Sequence, residues 1–211
     1  MRATETATLR GAGAGRPRHF LRSGSCVDNP YMTAVGQVPG IFTPDECLWL
    51  SGAPLEQTAA GVYDAHGPEA RVDRQLRRTL ERQLPRNREF AWVYARLDKV
   101  AREANDRAYH FRLDNRITAH VLEYEPDGFF DWHMDLGTGP TASRKLSLVT
   151  FLTPPEAYLG GELLFMDGGS PLRPAQGTTA VFPAYLLHKV NPVTQGTRCT
   201  LVAWLHGPCF T

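Results

Sequence analysis

Long apolar runs are missing from this chain. None approaches the roughly 20 residues that a membrane-crossing helix requires, so no membrane partner is expected. Excess charge of one sign is missing too. A formal net charge of +1 gives no overall attraction to nucleic acid or an acidic surface, and nucleic acid is not an expected partner. Cysteine is scarce: Cys26, Cys47, Cys199 and Cys209 form no C-x-x-C pair and no disulfide framework, which fits a reduced, cytoplasmic compartment. The first 25 residues hold one acid, Glu5, against Arg2, Arg10, Arg16, Arg18 and Arg22, and lack the apolar stretch of a secretory signal. Their run Gly11-Ala-Gly-Ala-Gly15 follows no strand and opens no helix, which argues against a phosphate loop. Residues 1–33 therefore read as an N-terminal extension, in the default case a flexible tail. A transit peptide and a mobile cover over an active site are the alternatives.

What remains is 42% hydrophobic and 21% charged, the make-up of an ordinary globular domain, and residues 34–211 suffice for one substantial core. Val35–Val38 reads as a strand closed by a Pro39-Gly40 turn. Thr43-Pro44-Asp45-Glu46 is a capping box with proline at the first helical position, and Gly52-Ala-Pro54 ends the helix it starts. Gly61–Pro68 reads as loop or edge strand. Two further helices are expected. In one, about Asp73–Leu84, residues Leu76, Leu80 and Leu84 fall one turn apart before Pro85. In the other, about Arg88–Asn105, residues Phe90, Val93, Tyr94, Leu97, Val100, Ala101 and Ala104 recur at helical spacing. Beyond Asp106 the period becomes two. Strands are expected at Ile117–Tyr124, Phe129–Asp135, Leu146–Thr153, Glu162–Met166, Thr178–Phe182, Leu186–Val190 and Cys199–Leu205, separated by turns containing glycine or proline. Helices first and many short strands afterwards predict a mainly β, α+β chain. The architecture is a cupin-like jelly roll with N-terminal helices buttressing one sheet.

The chemistry concentrates at Asp131-Trp132-His133-Met134-Asp135. Alternate side chains of a strand share a face, so His133 and Asp135 point together and Met134 points away. An imidazole and a carboxylate side by side offer two ligands to a divalent metal. A third from a distant strand would complete the facial triad of non-haem Fe(II) oxygenases, with positions left open for substrates. By itself His-x-Asp is a common surface pair. Downstream, the block from Phe182-Pro183 to His188-Lys-Val190-Asn-Pro192 supplies a second histidine, and Arg198 stands ten residues beyond it at the head of the last strand. In a jelly roll, two strands can bring His133, Asp135 and His188 to one iron, with Arg198 deeper in the barrel. A buried guanidinium requires an anion, and a small dicarboxylate bound to the iron by its other end would provide one. Thr200 projects to the same face as Arg198 and is placed to donate a hydrogen bond to that carboxylate. Taken singly, His188 also reads as a structural histidine and Arg198 as a surface charge.

Taken together, these residues resemble the Fe(II)- and 2-oxoglutarate-dependent dioxygenases, in their prolyl 4-hydroxylase-like branch, over about Ile117–Trp204. The resemblance rests on Tyr124 nine residues before His133, on His133-x-Asp135, on Arg144-Lys-Leu-Ser147 and on Tyr158-Leu-Gly-Gly-Glu162. It continues through the His188 block, Arg198 and Trp204. It implies a double-stranded β-helix with a metal-binding core at about 117–205 and a catalytic Fe(II) on His133, Asp135 and His188. It further implies 2-oxoglutarate chelating that iron with its far carboxylate on Arg198, and Tyr124 and Trp204 lining the pocket. O2 is the other implied cosubstrate and ascorbate an accessory reductant. The implied reaction hydroxylates an unactivated C–H bond and releases succinate and CO2; by analogy the substrate is an amino acid, free, peptidyl or carrier-bound. Two departures stand out: Gly128 follows Tyr124 by four residues where three is common, and Phe151 stands where some relatives have a tyrosine, which shifts weight to Thr200. Asp135 argues against halogenation, for which relatives place a small residue there. Desaturation or cyclisation with the same cofactors is one alternative. A cupin-like metal module without 2-oxoglutarate is another, and it leaves Arg198 without a role. Specificity is expected to reside in Val27–Gly40, Gly137–Ser143 and Gly168–Gln176.

Overall fold

A computed structural model of the chain describes residues 8–10, 29–63, 69–166 and 168–209. Its first part contains β1 (Thr8–Arg10), β2 (Val35–Val38), helix α1 (Pro44–Ser51), β3 (Thr58–Ala59), β4 (Arg77–Arg78), β5 (Leu80–Gln83) and helix α2 (Ala91–Ala104). The second part is strand-rich: β6 (Ile117–Tyr124), β7 (Phe129–His133), β8 (Arg144–Phe151), β9 (Tyr158–Gly160), β10 (Leu163–Phe165), β11 (Thr179–Pro183), β12 (His188–Val190), β13 (Val193–Gly196) and β14 (Arg198–His206). The strands pair antiparallel into a large sheet ordered β1-β2-β11-β8-β14-β6-β5-β3, a smaller sheet β10-β12-β7-β4, and the ribbon β13-β9. This is the expected jelly roll.

Two cores explain why β14 is buried along its whole length. Leu201, Ala203 and Leu205 point outward and join Val93, Leu97 and Ala101 of α2 and Cys47 and Leu50 of α1 in one cluster. Val202 and Trp204 point inward and join Leu122, Val149, Phe165 and Val190 in a second cluster between the sheets. A central strand covered on both faces reads as a continuous apolar run, and here the period of two assigns each residue to helix side or barrel side. The helices buttress the large sheet as expected. At α1 the Thr43 hydroxyl accepts from the Glu46 amide, and the Glu46 carboxylate accepts from the Thr43 amide. Helix α2 runs on into a single π turn, Asn105–Tyr109, and the Tyr109 hydroxyl reaches the carbonyls of Ala34 and Val181 at the sheet edge.

The segment Asp73–Leu84 is not a helix. Arg77–Arg78 pairs with β7 and Leu80–Gln83 pairs with β6, extending both sheets. Leucines four apart satisfy a helical face and a strand face equally, and the partner strands decided the outcome. Strands β9 and β13 lie where the sequence shows chiefly turn residues. Of the N-terminal extension, Thr8–Arg10 pairs with β2; most of the remainder of that reading, and Asp64–Pro68 of the expected loop, lie outside the described residues.

Candidate active site

His133 ends β7 and His188 begins β12, and the two are direct cross-strand partners in the small sheet. Asp135 follows two residues after His133. One ligand atom from each of the three lies within 4.8 Å of the other two. Each imidazole sets its Nδ1 2.8 Å from a main-chain carbonyl two residues earlier, Asp131 for His133 and Leu186 for His188. Both Nε2 atoms are thereby turned toward the Asp135 carboxylate, at 3.9 Å and 3.7 Å. Such carbonyl anchors fix tautomer and ring orientation in metal sites. The Ser147 hydroxyl donates to Asp135 Oδ2 at 2.6 Å, and Phe130 stacks on the His133 ring at 3.4 Å.

The electrostatics favour a cation here. Burial alone would raise the Asp135 pKa, but His188, His133 and Arg144 outweigh it and hold the carboxyl at about 2. Burial, reinforced by neighbouring His188, lowers His133 to about 3. An ionised carboxylate beside a neutral imidazole is the protonation state a divalent metal needs.

These ligands open onto a cavity of about 600 Å³ that extends along the inner face of β14 from Arg198 to His206. Arg198 is 1% exposed and pairs in register with Tyr124. Its Cζ lies 4.9 Å from the Tyr124 ring and 5.4 Å from the Phe151 ring, and among the described residues none of its three side-chain nitrogens has a hydrogen-bond partner. Gly161 makes room for its stem. With φ at +67° that residue is in the left-handed region, and a Cβ there would come within 2.7 Å of Arg198 Cδ. Thr200 Oγ1 and Trp204 Nε1 line the same cavity and are likewise buried without partners among the described residues. A small dicarboxylate fits this donor set: one buried guanidinium, one hydroxyl and apolar walls, beside three metal-ligand side chains. The longer turn after Tyr124 is accommodated by Asp127, which takes a positive φ of 66°.

Every sequence-predicted site residue therefore lines one cavity: His133, Asp135, His188, Arg198, Thr200, Tyr124 and Trp204. Of the three segments expected to set specificity, Gly137–Ser143 contributes Gly137, Pro140 and Thr141; the described residues of the other two contribute none. Several site residues escaped the sequence reading. Arg144 lies with its Cζ 3.7 Å over the Trp204 ring, and Arg77 lies 4.5 Å over the Phe130 ring. Beyond Trp204, His120 Nδ1 sits 3.4 Å from the Glu81 carboxylate, and His206 Nδ1 is 2.9 Å from the Ser143 hydroxyl. Arg144 and Ser147 stand in a quoted motif, but Arg77 and Glu81 were hidden by the helical reading of their segment.

Residues 119–206 match the sequence pattern of the 2OG-Fe(II) oxygenase superfamily. The chain is 31% identical over 180 residues to a PKHD-type hydroxylase of Pseudomonas putida strain W619, spanning 79% of this chain and 76% of that one. Its fold is similar to that of a Pseudomonas putida prolyl-4-hydroxylase, with a TM-score of 0.61 at 20% identity over 82% of this chain and 92% of the other. It is similar also to a Trichoplax adhaerens prolyl hydroxylase in complex with a hypoxia inducible factor peptide fragment, with a TM-score of 0.64 at 14% identity, covering 82% and 83%.

Proposed function

For a chain that belongs to the 2OG-Fe(II) oxygenase superfamily, among its PKHD-type hydroxylases, we propose hydroxylation of an unactivated C–H bond of an amino acid, free, peptidyl or carrier-bound. The observation that carries this reading is the partnerless, buried guanidinium of Arg198 in the same cavity as three convergent metal-ligand side chains. When bound, Fe(II) with O2 and 2-oxoglutarate supplies the oxidising power: one oxygen atom enters the C–H bond, the other enters succinate, and CO2 leaves.

The chain's own residues do the placing. His133, Asp135 and His188 hold the metal. The carbonyls of Asp131 and Leu186 keep both Nε2 atoms available, and Ser147 fixes the carboxylate. Arg198 takes the far carboxylate of 2-oxoglutarate with Thr200 donating beside it, a charge-assisted contact of about 1.5–3 kcal/mol. Tyr124 and Phe151 keep water from that end, and Trp204 walls the part of the cavity left for substrate.

The test is a screen of the Fe(II)-loaded enzyme with O2 and 2-oxoglutarate over amino acids and peptides; the peptide in the Trichoplax enzyme's complex motivates the latter. Succinate release matched by gain of one oxygen in the product supports hydroxylation. Loss of two hydrogens instead redirects the reading to desaturation or cyclisation. Succinate release that no amino acid or peptide stimulates would count against this substrate class.

A further inference from the structure

Two arginines that line the cavity have no part in the proposed chemistry. Fe(II), Asp135, the two carboxylates of 2-oxoglutarate and Arg198 balance to zero. Arg77 and Arg144 remain, with the carboxylates of Glu81 and of the exposed Asp131. Arg77 is 8% exposed on β4, in register with Phe130 of β7. Its guanidinium lies over the Phe130 ring, which itself stacks on His133, so one aromatic ring separates it from a proposed metal ligand. Its Nη1 donates to the Gly61 carbonyl at 2.9 Å, and its Nε is buried without a partner. Arg144 spreads over Trp204 and donates to the Asp135 carbonyl at 3.3 Å, and its Nε is also buried without a partner. Among the described residues neither arginine forms an ion pair; Glu81 sits nearest His120 and attracts both arginines from further off. Two guanidiniums that each keep a buried, unpartnered Nε and make no direct ion pair would gain from a ligand that brings an anion.

We infer that the primary substrate presents a carboxylate to Arg77 and Arg144, and is therefore a free acid: an N-substituted amino acid or the C-terminal residue of a peptide. The main chain of a residue within a peptide has only neutral carbonyls to offer there. The inference rests on the proposed function and narrows it. The cavity mouth shapes the rest of the substrate, since Tyr63, Leu76, Trp132 and Met134 line it and stay 37–54% exposed, an apolar rim.

The experiment uses the full chain with Fe(II) and 2-oxoglutarate under anaerobic conditions, so binding is read without turnover. N-acetylproline, N-acetylleucine and N-acetylphenylalanine are each titrated as free acid and as primary amide, following quenching of tryptophan fluorescence, to which Trp132 and Trp204 contribute from the cavity wall. At least one acid should bind about tenfold to a hundredfold more tightly than its amide. That ratio should fall toward one in Arg77→Gln and in Arg144→Gln, and Arg77→Lys should restore part of it. Either glutamine variant suffices if the other fails to fold. The inference is overturned if no acid outbinds its amide in the wild-type protein, including the case in which neither binds. It is also overturned if the ratio survives undiminished in every folded glutamine variant. The visible absorption of 2-oxoglutarate on Fe(II), recorded in the same cuvette, separates the two readings. Its absence counts against the proposed function; its presence with no preference for acids removes only the carboxylate.

Discussion

Replacing Arg198 with methionine should make the ligand-free protein more stable while weakening its grip on 2-oxoglutarate. The guanidinium is 1% exposed and its nitrogens have no hydrogen-bond partners among the described residues. Burying an ion in that way costs several kcal/mol even after relaxation. Against this stand two aromatic contacts, at 4.9 Å and 5.4 Å from the rings of Tyr124 and Phe151, together worth about 1–2 kcal/mol. Methionine keeps much of the stem that packs against Gly161, so little cavity is opened. The balance predicts a gain of about 1–3 kcal/mol, or several degrees in Tm for a chain of this size. With ligand the order reverses. At about a hundredfold excess over its Kd, 2-oxoglutarate should stabilise the wild-type protein by about 2.7 kcal/mol. The methionine variant should need about ten to a hundred times more ligand for the same effect, having lost a contact of about 1.5–3 kcal/mol. Arg198→Lys should fall between, keeping charge but losing the planar fork. Anaerobic thermal unfolding with Fe(II), with and without 2-oxoglutarate, reads both effects. A ligand-free methionine variant destabilised by more than about 1 kcal/mol, or one stabilised by 2-oxoglutarate as strongly as wild type, would rule out a costly buried guanidinium that binds the ligand.

Other outcomes follow from the same geometry. His133→Ala, Asp135→Ala and His188→Ala should each lose iron and activity while keeping the far-ultraviolet circular dichroism of the parent, because both cores are apolar and independent of the metal; a His188→Ala protein with full iron occupancy and turnover would remove that residue from the site. Ser147→Ala, which deletes the 2.6 Å hydrogen bond to Asp135, should weaken iron binding by about tenfold or more, measured by competition with a chelator. Burial, helped by Arg144 and Arg116, lowers His206 to about 4 from 6.5. The unfolded chain therefore binds more protons in that window, and this contribution to stability is complete above about 6.5 and lost as pH falls toward 4. His206→Asn should flatten the fall of the urea midpoint across that range; an unchanged slope would show that His206 is not its source.

The strand half of the fold and the metal ligands were legible because both are written in short periods. His133 and Asp135 share a face by a period of two, and β6 occupies the residues its alternation marked. Arg198 was legible through charge, since its place on a strand of buried residues demands an anion. The segment around Arg77 was not. Leu80 and Leu84 are compatible with either period, and the choice fell to pairing with β6 and β7, which no local pattern records. On that pairing Leu80, Arg82 and Leu84 face the helices, while Glu81 and Gln83 turn toward the cavity. Arg77 and Glu81 went unread for the same reason. They acquire meaning only beside Phe130 and His120, residues about 40–50 positions away in sequence. Likewise β9 and β13 each end on a glycine with positive φ, Gly160 and Gly196, so their own residues advertise turns.

Anaerobic titration of the Fe(II) protein with 2-oxoglutarate asks whether this cavity holds the metal and the keto acid together, and one outcome would support joint binding. A weak visible charge-transfer band should grow to a one-to-one endpoint in the wild-type protein. In Arg198→Ala the iron should still bind, and the band should need about one to two orders of magnitude more 2-oxoglutarate. An iron-loaded wild-type protein that gives no band at any 2-oxoglutarate concentration would contradict joint binding.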